Sequence, residues 1–298
     1  MRILITGGSG FVGRPLCRRL HDAGHELLVV SRSPSRAKAL LPDGTEVRDS
    51  VLAFVDRAPE AIINLAGEPI ADKRWSAAQK RRLIDSRLTV TRDLVTLCER
   101  LDTPPRVMIS GSAMGYYGDQ GDRDVTEQTP PQEEFAHRLC AEWESAALAA
   151  EPLGVRVVLL RTGLVLDAGG GTLAKLLLPF RLGLGGRLGS GRQYMPWIHR
   201  EDWVSIALFL LERDDLAGPF NASAPHPVTN ADFTRALARH LHRPAVMAVP
   251  AGVLRLALGE MSRLLLTGAR MRPARLEAAG FGFQYPTLDS ALKAILGR

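Results

Sequence analysis

The feature that most constrains this fold is a glycine-rich loop near the start of the chain, set between an apolar run and a helical pattern. Residues 2–6 (RILIT) form a short apolar run that is typical of a buried parallel strand. Glycines follow at positions 7, 10 and 13, and Leu16, Cys17 and Leu20 then recur with helical spacing before Gly24. A second strand is predicted over residues 25–30. This order, within about 30 residues, predicts a βαβ unit of the Rossmann type.

The spaced glycines have distinct expected roles in binding a dinucleotide. Gly7 permits the tight turn out of the strand, Gly10 lets the backbone approach a pyrophosphate, and Gly13 lets the helix pack closely on the sheet. The first turn of the helix presents free N–H groups and the positive end of its dipole to phosphates. We therefore predict that the diphosphate is bound by Gly7, Gly8, Ser9, Gly10, Phe11, Val12 and Gly13.

The residues after the second strand favour NADP(H) over NAD(H). An Asp or Glu at this place would hydrogen-bond the ribose hydroxyls of NAD. The chain instead reads Ser31, Arg32, Ser33, with no acidic residue. A guanidinium binds a 2′-phosphate through paired hydrogen bonds, and we assign that role to Arg32.

Alternating strand and helix patterns continue through the first half of the chain. They predict an α/β fold with a Rossmann-type doubly wound parallel sheet. Further strands are predicted over residues 61–65, 107–110 and 155–161, and helices over 77–101 and 133–150.

After Gly163 the sequence becomes rich in glycine loops, and later helices are predicted over residues 202–213, 231–242, 253–266 and 287–296. We expect a dinucleotide-binding domain over residues 1–163. Residues 164–298 would form mainly a smaller C-terminal α/β lobe on the substrate side. Segments at about 200–225 are expected to return to the first domain.

Composition and charge restrict the function classes. Three cysteines without metal or disulfide spacing, and no signal peptide or long apolar run, predict a cytoplasmic protein without a metal or a membrane partner. The net charge of +6 comes from arginines scattered along the chain. This distribution argues against nucleic-acid binding and suits an anionic small molecule such as a nucleotide.

Several short motifs resemble those of the extended short-chain dehydrogenases/reductases, which include nucleotide-sugar epimerases. Leu65-Ala66-Gly67 follows a strand, and Ser110-Gly111-Ser112 precedes Tyr117-Gly118. The chain is more similar still to an atypical branch, the NAD(P)-binding epimerase family proteins with a C-terminal domain of unknown function. The stretches that carry this resemblance are residues 65–70, 112–118, 183–191 with Gln193, 196–199 and 281–286.

The resemblance implies further cofactor contacts. Leu65, Ala66 and Gly67 would lie along the adenosine ribose, and Arg161 and Thr162 would lie near the nicotinamide. The C-terminal lobe would close over a substrate.

The Tyr and Lys that this superfamily uses as its acid/base pair are missing. Ser112 fits the position of the serine that polarises the substrate oxygen, but Ala136 stands at the Tyr position and Cys140 at the Lys position. Glu144 supports this register, because related epimerases often keep a Glu there. Arg87 replaces an Asn of the family, and a fixed cation there would take over part of the Lys role on the cofactor ribose or phosphate.

Other groups are candidates for the missing acid/base. We single out Ser112, Tyr116 and Cys140 as catalytic candidates, with a Cys140 thiolate favoured by Arg87. Each of the three also has an interpretation as a purely structural residue. Free Cys, for example, is mostly a small buried hydrophobic residue. The remaining candidates are Tyr117, His137 and His199.

The resemblance implies an NADP(H)-binding protein of the short-chain dehydrogenase/reductase type, an oxidoreductase or nucleotide-sugar epimerase-like enzyme without the usual pair. The alternative is a non-catalytic NADPH-binding sensor or scaffold. Arg187, Arg192 and Gln193 in the glycine-rich stretch are predicted to bind an anionic small-molecule substrate. By analogy with related proteins, the helices at 77–101 and 133–150 would pair in a homodimer.

Overall fold

A computed structural model describes residues 1–297 of the chain. The strands are β1 (Arg2–Thr6), β2 (Glu26–Val30), β3 (Glu46–Arg48), β4 (Ala61–Asn64), β5 (Val107–Ala113), β6 (Asp124–Val125), β7 (Arg156–Thr162), β8 (Leu164–Asp167), β9 (Gly186–Leu188), β10 (Tyr194–Met195), β11 (Trp197–His199), β12 (Gly218–Ala222), β13 (Val228–Thr229), β14 (Met247–Val249) and β15 (Arg270–Met271). The α-helices are α1 (Gly13–Asp22), α2 (Pro34–Lys38), α3 (Ala77–Arg100), α4 (Phe135–Leu148), α5 (Gly171–Arg181), α6 (Arg200–Glu212), α7 (Asn230–Leu241), α8 (Ala251–Leu258), α9 (Arg263–Leu266), α10 (Ala274–Ala278) and α11 (Leu288–Leu296).

The main sheet has seven parallel strands in the order β12-β7-β5-β4-β1-β2-β3. The chain runs outward from β1 to β2 and β3 on one side, and to β4, β5, β7 and β12 on the other. Connections from the carboxyl ends of β1 and β4 therefore diverge, and a crevice opens between them, which is where open α/β sheets bind ligands. The predicted fold class, a doubly wound Rossmann-type sheet, is confirmed.

Both faces of the sheet are covered because the strand residues alternate between two apolar cores. Ile3 and Ile5 face α1 and α6 in one core, whereas Leu4 between them faces α3 and the end of α4 in the other. All three are fully buried. A strand buried on both faces must be apolar throughout, which explains the continuous apolar run in β1.

The C-terminal part contains small two-stranded sheets and its own core. The strand pairs are β8 with β11, β9 with β14, and β10 with β13. A separate apolar core joins α5, α7 and α11. β12, from the segment expected to return to the first domain, is one edge strand of the main sheet. The division of the chain into domains at residue 163 stays a prediction.

Two features of this part differ from the sequence expectation. Residues 171–181 form α5, which the glycine-rich surroundings concealed. The single helix predicted over residues 253–266 is instead α8, a 3₁₀ turn at Gly259–Ser262, and α9. Gly259 has a φ of +60°, and this left-handed conformation interrupts a helix.

Within residues 1–297, none of the helices combines the length and the apolar character that crossing a bilayer requires.

Candidate functional site

The turn after β1 is tight because two of its glycines contact backbone directly. Gly7 has a φ of +71°, and a Cβ there would lie 2.6 Å from the Leu65 carbonyl oxygen. A Cβ on Gly13 would lie 2.3 Å from the Gly7 carbonyl oxygen and 2.6 Å from that of Gly8. A side chain at either position would push the loop away from the sheet, so the geometry agrees with the turn and packing roles inferred from the sequence.

Gly10 lies at the open edge of the same loop. It is exposed, and a Cβ there would meet only the Gly7 carbonyl oxygen, at 3.0 Å. Among the described residues, the N–H groups of Phe11 and Val12 have no hydrogen-bond acceptor. These amides precede α1, whose N-terminus carries the positive end of the helix dipole, so the loop can accept a phosphate group.

A buried polar network that no sequence motif indicates holds the second loop of the crevice in place. Thr6 Oγ1 accepts hydrogen bonds of 3.1 Å from the backbone N–H groups of Leu65 and Ala66, and donates one of 2.7 Å to Asn64 Oδ1. Asn64 Nδ2 donates to Thr91 Oγ1 at 2.8 Å and to Ser110 Oγ at 3.3 Å. One amide thus joins the ends of β1, β4 and β5 to α3.

The crevice encloses a cavity of about 580 Å³ with a cationic end. Arg32 lines this end together with Arg36 of α2, which carried no signal in the sequence, while the 2′-phosphate contact of Arg32 stays a prediction. Two serine hydroxyls, of Ser31 and Ser33, line the same end. Guanidinium and hydroxyl donors at the end of a glycine-rich cleft match a phosphate group carried by a dinucleotide.

Acidic and polar groups also line the cavity. They are Glu68, Asp85, Ser86 and Thr89. Gln79 donates a 2.9 Å hydrogen bond to Glu68 Oε1, and this bond keeps the pKa of the Glu68 carboxyl below its usual range. The Glu68 carboxylate therefore stays ionised and is held in one orientation.

Arg87 on α3 lies beside Gly67 and Cys140. Its guanidinium donates to the carbonyl oxygens of Leu83 at 3.0 Å and Glu68 at 3.1 Å. A Cβ on Gly67 would lie 2.9 Å from the Arg87 Cζ atom, so the glycine makes room for this cation. Burial lowers the pKa of Arg87 from its usual value, yet an arginine remains charged at neutral pH.

Arg161 is part of a buried ion pair with Glu144. The sequence expectation placed it near the nicotinamide, but it is buried, and its Nε and Nη2 atoms each donate a 2.8 Å hydrogen bond to Glu144. Nη1 donates to the Tyr117 hydroxyl oxygen at 3.1 Å. The guanidinium is fully engaged inside the protein and is not available to a ligand, while the expected position of Arg161 near the nicotinamide stays a prediction.

The hydroxyl of Ser112 is also directed into the interior. Ser112 Oγ donates a 2.6 Å hydrogen bond to Glu144 Oε1, and the side chain is buried. In this arrangement its proton is not free to polarise a substrate oxygen, which corrects the predicted catalytic role. Thr162, also predicted to contact the cofactor, uses its hydroxyl internally, donating to the Leu160 carbonyl at 3.2 Å and accepting from Trp203 Nε1 at 3.0 Å.

The positions of the missing Tyr and Lys are filled by small buried side chains. A Cβ on Gly115 would lie 3.1 Å from the Ala136 Cβ, and Cys140 lies one helical turn away with its Sγ 3.8 Å from the Ala113 carbonyl oxygen. Burial raises the pKa of the Cys140 thiol to about 11. Burial therefore disfavours the thiolate expected beside Arg87, because desolvation outweighs the guanidinium charge. The catalytic role of Cys140 stays a prediction.

Of the catalytic candidates, Tyr116 keeps a hydroxyl group that is available for proton transfer. Its half-buried ring lies on Arg161, with 3.4 Å between the guanidinium carbon and the ring centroid. His137 packs edge-on against this ring and binds the Tyr116 carbonyl oxygen through Nδ1 at 2.7 Å. Among residues 1–297 the Tyr116 hydroxyl has no hydrogen-bond partner. Tyr117, by contrast, is buried and donates to Asn221.

Two further candidates have structural contacts. Gln193 Nε2 donates to the carbonyl oxygens of Leu188 and Leu265, at 3.0 and 2.7 Å. His199 accepts the Glu201 N–H at the start of α6 and stacks on Tyr285, and burial lowers its pKa to about 4. Arg187 and Arg192 are exposed.

The sequence matches two family descriptions along most of its length. Residues 3–223 match the NAD dependent epimerase/dehydratase family, and residues 249–295 match a domain of unknown function, DUF1731. The first match covers the sheet, the glycine loop and the Ser112–Glu144–Arg161 group. The second covers the helices α8 to α10, the short strand β15 and nearly all of α11.

Individual relatives match over nearly full length. The chain is 42% identical to Epimerase family protein Mb2239 of Mycobacterium bovis, over 97% of this chain and 96% of the relative. It is 38% identical to mouse Epimerase family protein SDR39U1, over 99% and 100%. The crystal structure of human epimerase family protein SDR39U1 with NADPH superimposes with a TM-score of 0.89 and 33% identity, covering 100% of both chains. UDP-glucose 4-epimerase of Thermus thermophilus shares the fold, with a TM-score of 0.79, 18% identity, and 100% and 98% coverage.

Proposed function

The chain belongs to the NAD dependent epimerase/dehydratase family, and from this premise we propose that it binds NADP(H) and transfers hydride without the family's Tyr/Lys pair. The observation that carries the proposal is the cleft itself. A glycine loop with free amides lies at one part of it, and two arginines, Arg32 and Arg36, lie at its end. These are the donors that a diphosphate and a 2′-phosphate require.

The glycine loop supports binding of the diphosphate. Gly10 leaves the approach to the Phe11 and Val12 amides open, whereas Gly7 and Gly13 hold the loop against the sheet. The human relative, which is 33% identical over its whole length, crystallised with NADPH. Both observations favour the same ligand class for this chain.

The cationic end of the cleft supports a preference for the phosphorylated cofactor. Arg32 and Arg36 stand one turn of chain apart, with Ser31 and Ser33 beside them. No acidic residue follows β2 to bind the ribose hydroxyls of NAD. A 2′-phosphate would give both guanidinium groups a charged partner, which NADH cannot do.

Arg87 is proposed to bind the nicotinamide ribose or the adjoining phosphate. Its guanidinium lies between Gly67 and α4, and faces the Cys140 position that a lysine fills in the family. The two carbonyl bonds from Leu83 and Glu68 hold the guanidinium in place. Arg87 would thus supply the positive charge of the missing lysine, but not its proton transfer.

Tyr116 is proposed as the proton donor. When bound, NADPH would supply a hydride to a substrate carbonyl carbon. The Tyr116 hydroxyl would give its proton to the carbonyl oxygen, and water would then restore the phenol. The Arg161 guanidinium lies on the Tyr116 ring and holds the ring in place. Cys140 and Ser112 are poorer donors, because the thiol is buried and the hydroxyl is bonded to Glu144.

The test separates binding from chemistry. Calorimetry with NADPH and NADH measures binding, and loss of nicotinamide absorbance over a panel of carbonyl compounds measures turnover. Tyr116→Phe should keep NADPH binding and lose turnover, while the matched variant Tyr285→Phe, whose ring stacks on His199, should keep both. No NADPH binding would contradict the whole proposal. Unchanged turnover in Tyr116→Phe would contradict its chemical part.

A non-catalytic NADPH sensor or scaffold is the second candidate. It is favoured by the loss of both acid/base positions to Ala136 and Cys140, and by the internal bond of Ser112. Tight NADPH binding with no turnover of carbonyl compounds or nucleotide sugars would support this candidate over the first. An anionic substrate bound through Arg187 and Arg192, and a homodimer formed through α3 and α4, stay predictions.

A further inference from the structure

Exposed aliphatic side chains are concentrated on one part of the C-terminal region. Seven of the nine large hydrophobic residues that are exposed fall within residues 178–184 and 246–256. Val246 is 85% exposed and Leu256 is 82% exposed. Single exposed leucines are ordinary in proteins, but a cluster marks an interaction surface.

These residues come from segments that lie side by side. β9 pairs with β14, with Gly186 opposite Met247, and Gly189 N donates to the Val249 carbonyl oxygen at 2.9 Å. Arg243 Nε donates to the Arg181 carbonyl oxygen at 2.9 Å, next to the end of α5. The segments that carry the exposed residues are therefore neighbours in the fold.

Helical spacing aligns the aliphatic side chains within these segments. Leu178 and Leu182 are four residues apart on and just after α5, and Val253 and Leu256 are three apart on α8. No residue of α8 is buried, so this apolar helix contributes little to the core. We call this surface, with Arg181, Arg243 and Arg255 beside the aliphatic side chains, the leucine–arginine face.

Basic residues outnumber acidic ones around the leucine–arginine face, where the nearby carboxylates Asp72 and Glu260 are ion-paired with Lys175 and Lys80. Residues 168–200 and 233–259 contain no Asp or Glu, so all 32 acidic residues of the chain lie elsewhere. The same two segments carry five and four Lys or Arg residues. Within residues 1–297, no carboxylate lies within 4 Å of the guanidinium groups of Arg181, Arg243 and Arg255.

We propose that the leucine–arginine face docks the protein on an anionic lipid surface. Aliphatic side chains that enter the boundary between headgroups and acyl chains, flanked by arginines that bind lipid phosphates, are the chemistry of peripheral membrane attachment. This inference goes beyond NADP(H) binding and does not depend on it. It revises the sequence expectation that the chain has no membrane partner.

The composition of the face favours lipid over a second copy of the chain. A two-fold contact would place the arginines of both copies, Arg181, Arg243 and Arg255, in one interface, and like charges would oppose it. The face also lacks exposed Trp, Tyr or Phe, which are the usual anchors of protein interfaces.

Vesicle sedimentation tests the proposal with the full chain. Two vesicle types are compared at low salt, one of phosphatidylcholine and one of equal parts phosphatidylcholine and phosphatidylglycerol. The unmodified chain should sediment with the anionic vesicles only, and added salt should release it. A chain that stays in solution with both vesicle types would overturn the proposal.

Matched variants locate the binding surface. Leu182→Glu/Leu256→Glu and Arg181→Glu/Arg255→Glu should each weaken binding to anionic vesicles by about tenfold or more. Val55→Glu, and Arg18→Glu/Arg100→Glu, alter exposed residues elsewhere and should bind more tightly than the face variants. Thermal unfolding and NADPH titration check that every variant is folded. Face variants that bind like the unmodified chain would overturn the proposal.

Sedimentation velocity without vesicles tests whether a second copy of the chain, instead of lipid, binds the leucine–arginine face. A dimer of the unmodified chain that Leu182→Glu/Leu256→Glu dissociates, together with no vesicle binding, would assign the leucine–arginine face to a second copy and overturn the lipid proposal. A chain whose oligomeric state is unchanged by these substitutions, with vesicle binding lost, supports it.

Discussion

The Ser112 hydroxyl donates a 2.6 Å hydrogen bond to the Glu144 carboxylate, although these residues are 32 positions apart on β5 and α4. The same carboxylate accepts two hydrogen bonds of 2.8 Å from Arg161 on β7. A serine in the position of the superfamily's catalytic serine is therefore part of a buried ion pair. In this bond the Ser112 hydroxyl proton is donated to the buried Glu144 carboxylate and is not directed at a substrate.

Arg161→Met should destabilise the protein strongly, by about 3–5 kcal/mol, because Glu144 would be left buried without its cation. Urea unfolding measures the loss. Arg239→Met, which removes an ion pair with Asp289 at the surface, should cost about 1 kcal/mol or less. Equal effects of the two substitutions would contradict the structural role assigned to Arg161.

Arg32→Asp should narrow or reverse the preference for NADPH over NADH, and Arg36→Asp should act in the same direction. Each removes a charge-assisted contact to the 2′-phosphate, so NADPH binding should weaken about tenfold or more. Calorimetry with both cofactors measures the ratio of affinities. Arg100→Asp at the end of α3 should leave that ratio unchanged. Equal affinities for the two cofactors in the unmodified chain would remove the basis for NADP(H).

Gly10→Val should abolish dinucleotide binding without unfolding the chain. Its side chain would extend over the exposed edge of the loop, and the nearest protein atom to its Cβ is the Gly7 carbonyl oxygen at 3.0 Å. Gly13→Val should lower the melting temperature as well, because its Cβ would be 2.3 Å from the same oxygen. Gly252→Ala, at an open position on α8, is the control and should change neither property. Undiminished binding by Gly10→Val would exclude the loop from the site.

Stability should fall as the pH drops from about 6.5 towards 4 because of His199. Burial lowers the pKa of its imidazole to about 4 from 6.5, so in this window the unfolded chain binds more protons than the folded chain. The contribution of His199 is complete above pH 6.5 and declines by up to about 3 kcal/mol as the pH reaches 4. Urea unfolding against pH measures this slope.

His199→Asn should flatten that slope while retaining a side chain that accepts the Glu201 N–H at the start of α6. His226→Asn alters an exposed histidine and should leave the slope intact. A slope that persists in His199→Asn would assign the pH dependence to other groups.

Much of the fold was predictable because it depends on local sequence. The apolar runs, the spaced glycines and the helical periodicity gave the sheet and the glycine loop, and α3 was predicted to within one residue of its observed end. Helices without such signals were missed or misplaced. α5 was missed because it begins in a glycine run. Residues 251–266 were predicted as one helix because the apolar pattern does not reveal the left-handed conformation of Gly259.

The site was less predictable because its decisive contacts join distant residues. Arg32 was identified from its position after β2, but Arg36 depends on how α2 turns back over the cleft. Nothing in the spacing of Ser112, Glu144 and Arg161 reveals that three separate elements bring them together. Cys140 was expected to ionise beside Arg87, and its burial disfavours the thiolate.

The Asn64 amide has a consequence for how such a protein can change. Thr6, Thr91 and Ser110 are held together through this one side chain, and Trp143 of α4 also donates to Thr91 at 3.1 Å. Ala136 and Cys140 on the same helix make none of these hydrogen bonds. Substitutions at those two positions can therefore alter the chemistry proposed for the site while the nucleotide-binding crevice keeps its shape.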